Sequence, residues 1–104
     1  MKLAYNITYV VDPQYVDRWR IWMIKNYLPG IMETGCFLSY RLHKLVGLNS
    51  NEEPTYSVQL IAKNKIMLQR YQRNHESNYM RLLNHQFKEK YVEFRTTMVV
   101  VDES

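Results

Sequence analysis

The sequence predicts one α+β domain of element order βαββαβ, a four-stranded antiparallel sheet with two helices on one face. Three observations carry this. Residues 2–11 alternate apolar and polar side chains with the period of a strand. Two longer stretches, after Asp12 and after Asn64, repeat apolar residues at helical spacing. A pair of alternating runs joined by a polar turn lies between them, and a last run follows the second helix. The 104 residues fit a single domain spanning 1–104, with no repeat, low-complexity tract or linker.

Each element can be justified in turn. In the first strand Leu3, Tyr5, Ile7, Tyr9 and Val11 point one way, and Lys2, Ala4, Asn6 and Thr8 the other. Asp12-Pro13 reads as an N-cap followed by proline at the first helical position. Val16, Trp19, Met23 and Tyr27 form the stripe of the first helix, broadened by Ile24 and Leu28. Pro29-Gly30 is expected to interrupt it, with one more turn before Gly35 ends it. Residues 36–47 form the second strand, with Leu38, Tyr40, Leu42 and Val46 on one side and Ser39, Arg41 and His43 on the other. Gly47 through Pro54 is the hairpin turn, and the third strand runs from Thr55 to Ala62. Asn64 caps a second helix carrying Ile66, Met67 and Tyr71. The polar run from Arg73 to Ser77 breaks it, and Tyr79, Met80, Leu83 and Phe87 resume its stripe. The last strand, Tyr91 to Val101, sets Val92, Phe94, Met98 and Val100 against Glu93, Arg95 and Thr97. Right-handed crossovers then give the ferredoxin-like arrangement.

Composition narrows the function classes. The chain has 46% apolar and 23% charged residues, an ordinary globular mixture. It has neither an apolar run of membrane-spanning length nor a signal-peptide core at its start, so a cytoplasmic protein is expected. A lone Cys36 cannot form an internal disulfide, which agrees with that. The net charge of +4 comes from scattered basic residues, without any block of five like charges. No Walker loop, dinucleotide loop or nucleophile elbow occurs. Ferredoxin-like RNA readers stack bases on aromatic residues of the two central strands. Here those positions hold Asn6, Thr8, Ser57 and Gln59, so no nucleic-acid partner is expected. His75 and His85 would stand roughly 15 Å apart along one helix, too far for one metal, and Cys36 has no ligand-spaced partner. Neither a metal nor a cofactor is expected.

Two helices cover only one sheet face. The more apolar alternation should lie under them, leaving Ser39, Arg41, His43, Ser57, Gln59, Glu93, Arg95 and Thr97 on the open face. By parity Phe37, Leu45, Ile61, Tyr91 and Val99 join it towards the strand ends. Apolar residues there predict a homodimer packed sheet on sheet. Arg41, His43 and Arg95 are the candidate ligand-binding residues: arginine reads planar oxygen groups through its fork, and histidine moves a proton. The plainer reading of the same residues is an ion-pair network. Trp22 lies off the centre of its stripe, and with Tyr27 it can form an aromatic wall where Pro29-Gly30 turns the chain.

The run Trp22-Met23-Ile24-Lys25-Asn26-Tyr27-Leu28-Pro29-Gly30-Ile31-Met32-Glu33-Thr34-Gly35-Cys36-Phe37 resembles the signature of the bacterial domain of unknown function 4286. Tyr56-Ser57-Val58-Gln59 and Phe94-Arg95-Thr96 resemble its later motifs. The resemblance implies a dimeric α+β barrel, a fold shared with antibiotic-biosynthesis-type monooxygenases, and no established activity. Tyr27 departs from it, standing where the resemblance implies a histidine. Two function classes follow: a non-catalytic dimeric module binding a small molecule or a protein, and a cofactor-independent monooxygenase-like enzyme acting on a small aromatic or anionic substrate.

Overall fold

The computed structural model describes residues 1–47 and 53–104. Most of the turn expected between the second and third strands, residues 48–52, lies outside the described residues. Four strands form one antiparallel sheet: β1 (Leu3–Val11), β2 (Ser39–Lys44), β3 (Thr55–Ala62) and β4 (Tyr91–Val99), in the order β2-β3-β1-β4. The first crossover carries α1 (Val16–Trp22), a π turn (Met23–Tyr27) and α2 (Leu28–Glu33), the second carries α3 (Lys65–Asn74) and α4 (Glu76–Gln86), and both pack on the same face of the sheet. This is the ferredoxin-like α+β architecture, and no described helix is long and apolar enough to cross a membrane.

The core lies between sheet and helices. Leu3, Tyr5, Ile7, Tyr9 and Val11 of β1 meet Tyr56, Val58 and Leu60 of β3, all buried. The Trp19 ring stands between Tyr9 and Tyr56, with centroids at 5.3 and 5.1 Å. Aromatic side chains bury the most area per residue, so a domain of this size can close a thin core with few of them.

The local signals of the sequence decide most element ends. Asn64 is extended, and its side chain accepts from the Met67 N–H at 2.9 Å, capping α3. The polar run at 73–77 parts α3 from α4 at His75. Gly35 takes the left-handed backbone (φ 75°) just after α2. Asp12 acts differently from expectation. Its carboxylate accepts from the Gln14 N–H, making a turn, and α1 begins only at Val16 after Tyr15.

Pro29-Gly30 does not break the helical arm. The preceding π turn bonds the Leu28 N–H to the Met23 carbonyl, five residues back. That wider turn gives the proline ring room it lacks in a regular helix, and Pro29 falls in the first turn of α2, where its missing N–H costs least. The shift of register also leaves Ile24 out of the stripe, exposed to solvent.

The largest correction concerns β4. Residues opposed in an antiparallel pair share a face. Glu93 opposes Tyr9, Arg95 opposes Ile7 and Thr97 opposes Tyr5, so the charged row of β4 faces the helices. Val92, Phe94 and Met98 oppose Val10, Thr8 and Ala4 and face the open side. Of the apolar residues expected on the open face, Tyr91 and Val99 also turn to the helix side, opposite Val11 and Leu3. Phe37 precedes the shortened β2 and is buried against Tyr71, ring centroids 4.9 Å apart. Leu38 and Val46, expected under the helices, are exposed, and Leu68 rather than Ile66 is the buried residue of the α3 stripe.

Candidate functional site

Turning inward, Arg95 enters a polar network between sheet and helices. One guanidinium nitrogen donates to the Tyr5 hydroxyl at 3.2 Å and to the Glu76 carboxylate at 3.3 Å. The other donates to both oxygens of Glu93, at 3.2 and 3.4 Å. The Tyr5 hydroxyl donates to Glu76 at 2.5 Å. One base from the first turn of α4 and two groups from β4 thus meet a phenol of β1. The three charged side chains are only 18–19% exposed. Burial works against the Arg95 charge, but the Tyr5 hydroxyl and the Glu93 charge more than offset it, and the guanidinium is held ionised.

Phenols surround this network. Arg95 and Glu93 both act electrostatically on Tyr9, Tyr27 and Tyr91, and Arg95 and Glu76 both act on Tyr71. Burial pushes the phenols of Tyr5, Tyr9, Tyr27, Tyr71 and Tyr91 above their ordinary range. They are therefore hydrogen-bond donors at neutral pH, and the Glu76 and Glu93 carboxylates are the hydrogen-bond acceptors of the network. The Tyr9 hydroxyl is buried and has no hydrogen-bond partner among the described residues. Tyr79 joins these phenols from the helical side. Its hydroxyl donates to the Gly30 carbonyl at 2.8 Å, and its ring meets those of Tyr27 and Tyr71. Glycine matters there, because a β-carbon at position 30 would stand 3.3 Å from the Tyr79 ring.

These shifts set an alkaline limit. Phenols whose folded pKa lies above the unfolded value of about 10 support the fold fully below that pH and lose this support as pH rises through their folded values. Far-UV circular dichroism is expected to collapse cooperatively above about pH 10, in step with a jump in phenolate absorbance. Smooth ionisation of every tyrosine near pH 10 with the fold intact would contradict it.

The residues singled out in the sequence fall in three places. Arg41 and His43 are exposed on the open face, opposite Gln59 and Ser57. Arg95 lies under the helices, so Arg41 and Arg95 do not form one clamp: they occupy opposite faces and opposite edge strands. Trp22 and Tyr27 are neighbours, ring centroids 5.4 Å apart. Tyr27 is buried, while Trp22 lines a surface cavity with Tyr15, Arg18 and Phe87. The expectation missed Tyr5, Tyr9, Tyr71 and Glu76. Its available signal was tyrosine at core positions, since a buried phenol calls for a polar partner.

The model of the domain of unknown function DUF4286 matches residues 2–101. The chain belongs to this family. No curated protein matches it in sequence. Solved structures resemble this DUF4286 domain in fold at low identity. One is a dimeric ferredoxin-like protein from an uncultured marine organism, 11% identical, with a TM-score of 0.77 over 100% of this chain and 98% of that one. Another is an EthD-like protein from Ralstonia eutropha, 12% identical, TM-score 0.71, covering 99% and 95%. A third is a variant of SnoaB, a cofactor-independent oxygenase from Streptomyces nogalater, 6% identical, TM-score 0.70, covering 98% and 95%.

Proposed function

We propose that this DUF4286 domain is a homodimeric small-molecule-binding module. Two open sheet faces pack together into a barrel, and each protomer takes a ligand at the phenol-bordered polar network beneath its helices. The inverted burial of β4 carries the reading: its charged row turns inward to build a polar network, and its apolar row turns outward, uncovered by the described residues. The dimeric ferredoxin-like neighbour supports the assembly.

Arg95 is already matched by two carboxylates, so the network holds one negative charge in excess. That argues against a carboxylate ligand at this network. It favours a neutral aromatic alcohol, such as a phenol or quinol, that donates to Glu93 or Glu76 and accepts from the surrounding phenols. Phenols and quinols are expected to raise the melting temperature of the native chain, and Glu93→Gln to abolish the shift. The reading fails if neither class stabilises the protein, or if Glu93→Gln keeps the full shift. A second reading rests on the same carboxylates. A phenolic substrate donating to Glu93 is poised to lose that proton, as a cofactor-independent oxygenase-type enzyme would require. Oxygen uptake above the protein-free rate in the presence of such a ligand would favour this enzyme over the binding module.

A further inference from the structure

A cavity of about 300 Å³ opens on the helical side of the domain, away from the open sheet face. Tyr15, Arg18, Ile21, Trp22 and Asn26 line it from the first helical arm, and Gln86 and Phe87 from the end of α4. Tyr15, Arg18, Trp22 and Asn26 recur at steps of three and four residues, which stacks them along one helix face. Trp22 and Phe87 meet edge to face, centroids 5.8 Å apart, and form an aromatic floor. Ile21 is an apolar residue left 49% exposed beside it. Two primary amides, Asn26 and Gln86, offer hydrogen bonds at the rim.

The charges around this cavity are one-sided. Arg18 lies over the Tyr15 ring at 4.8 Å, and Lys90 lies over the same ring at 4.7 Å. The neighbouring Asp17 is engaged with Arg20, and no carboxylate lines the cavity among the described residues. Neither Arg18 nor Lys90 has an ion-pair partner among them. The network around Arg95 is the opposite case, because there the guanidinium is outnumbered by carboxylates.

We propose that this cavity is a separate binding site for an aromatic carboxylate, whose ring stacks on Trp22 and covers Ile21 while its carboxylate takes the Arg18 fork. Arginine suits that role through its bidentate match to a carboxylate. The volume lies at the small end of ligand pockets and suits a ligand of one or two rings. The site is distinct from the network around Arg95 and from the sheet face used for dimerisation, so it stands or falls apart from both.

The test uses 2-naphthoate, its neutral amide and 2-naphthyl phosphate on the full ¹⁵N-labelled chain, followed through the indole N–H signals of Trp19 and Trp22. Naphthoate should shift the Trp22 signal and the Asn26 and Gln86 side-chain amides at millimolar concentration or below, and leave Trp19 in place. The exposed Arg18→Gln should weaken naphthoate about tenfold, the scale of one charge-assisted contact, and leave naphthamide unchanged. Glu93→Gln, which tests the network around Arg95, should leave naphthoate binding intact. The proposal is overturned if naphthoate leaves Trp22 unmoved, if Arg18→Gln binds it within twofold of the native chain, or if naphthyl phosphate binds more tightly than naphthoate.

Discussion

Arg95→Leu is expected to lower folding stability by about 2–4 kcal/mol at neutral pH, the cost of stranding partly buried charges. The substitution leaves Glu76 and Glu93 facing each other across the position of the guanidinium, and it removes the donor to Tyr5. Fully buried pairs broken this way lose somewhat more. The 18–19% exposure here lets water recover part of the cost. Adding Glu76→Gln and Glu93→Gln to the same chain should return part of the loss, because the uncompensated charge is then gone. Acidification should narrow the deficit of the single variant for the same reason. Urea denaturation at two pH values checks both statements. A deficit below about 0.5 kcal/mol would mean that the network behaves as an exposed surface pair.

Phe94→Arg is expected to dissociate the dimer while leaving the protomer folded. Val92, Phe94 and Met98 are 57, 62 and 40% exposed in the isolated chain, so the substitution disturbs no packing within it. In the dimer it removes about 1.5–3 kcal/mol of apolar burial per protomer, and symmetry counts it twice. Among the paired strand residues of the open face the arginine would also find no acid, while Arg41 and His43 already stand there. Weakening by more than about a hundredfold follows, since an unpaired charge at an interface adds to the lost burial. Sedimentation equilibrium should show monomer with native circular dichroism. An unchanged dimer would place the interface elsewhere.

How much of this was legible in the sequence depended on what a local pattern can encode. The clean alternation of β1 and β3 identified their covered faces, because one side of each is uniformly apolar. Asn64, Gly35 and the polar run before Ser77 marked helix ends through chemistry confined to a few residues. β4 misled because it is an edge strand with two demanding faces. Its apolar row suggested the core, whereas the inner row is charged and made tolerable by Glu76, a residue nineteen positions away in the chain. No periodicity reports such a partner. The π turn was hidden for a related reason. Pro29-Gly30 carries a breaking signal, and only the five-residue hydrogen bond upstream shows how the helix continues through it. Trp22 stood out in the sequence because it falls off the centre of its stripe. Arg18, Asn26, Gln86 and Phe87 did not, since the end of α4 reaches the first helical arm only through tertiary packing.

The central claim is that the outward apolar row of β4 is covered by a second copy of the chain. Light scattering after size exclusion of the native protein, at tens of micromolar, tests it most directly. The account predicts a single species of twice the 12.6 kDa chain mass. A single species of 12.6 kDa, with Val92, Phe94 and Met98 left to solvent, would contradict it.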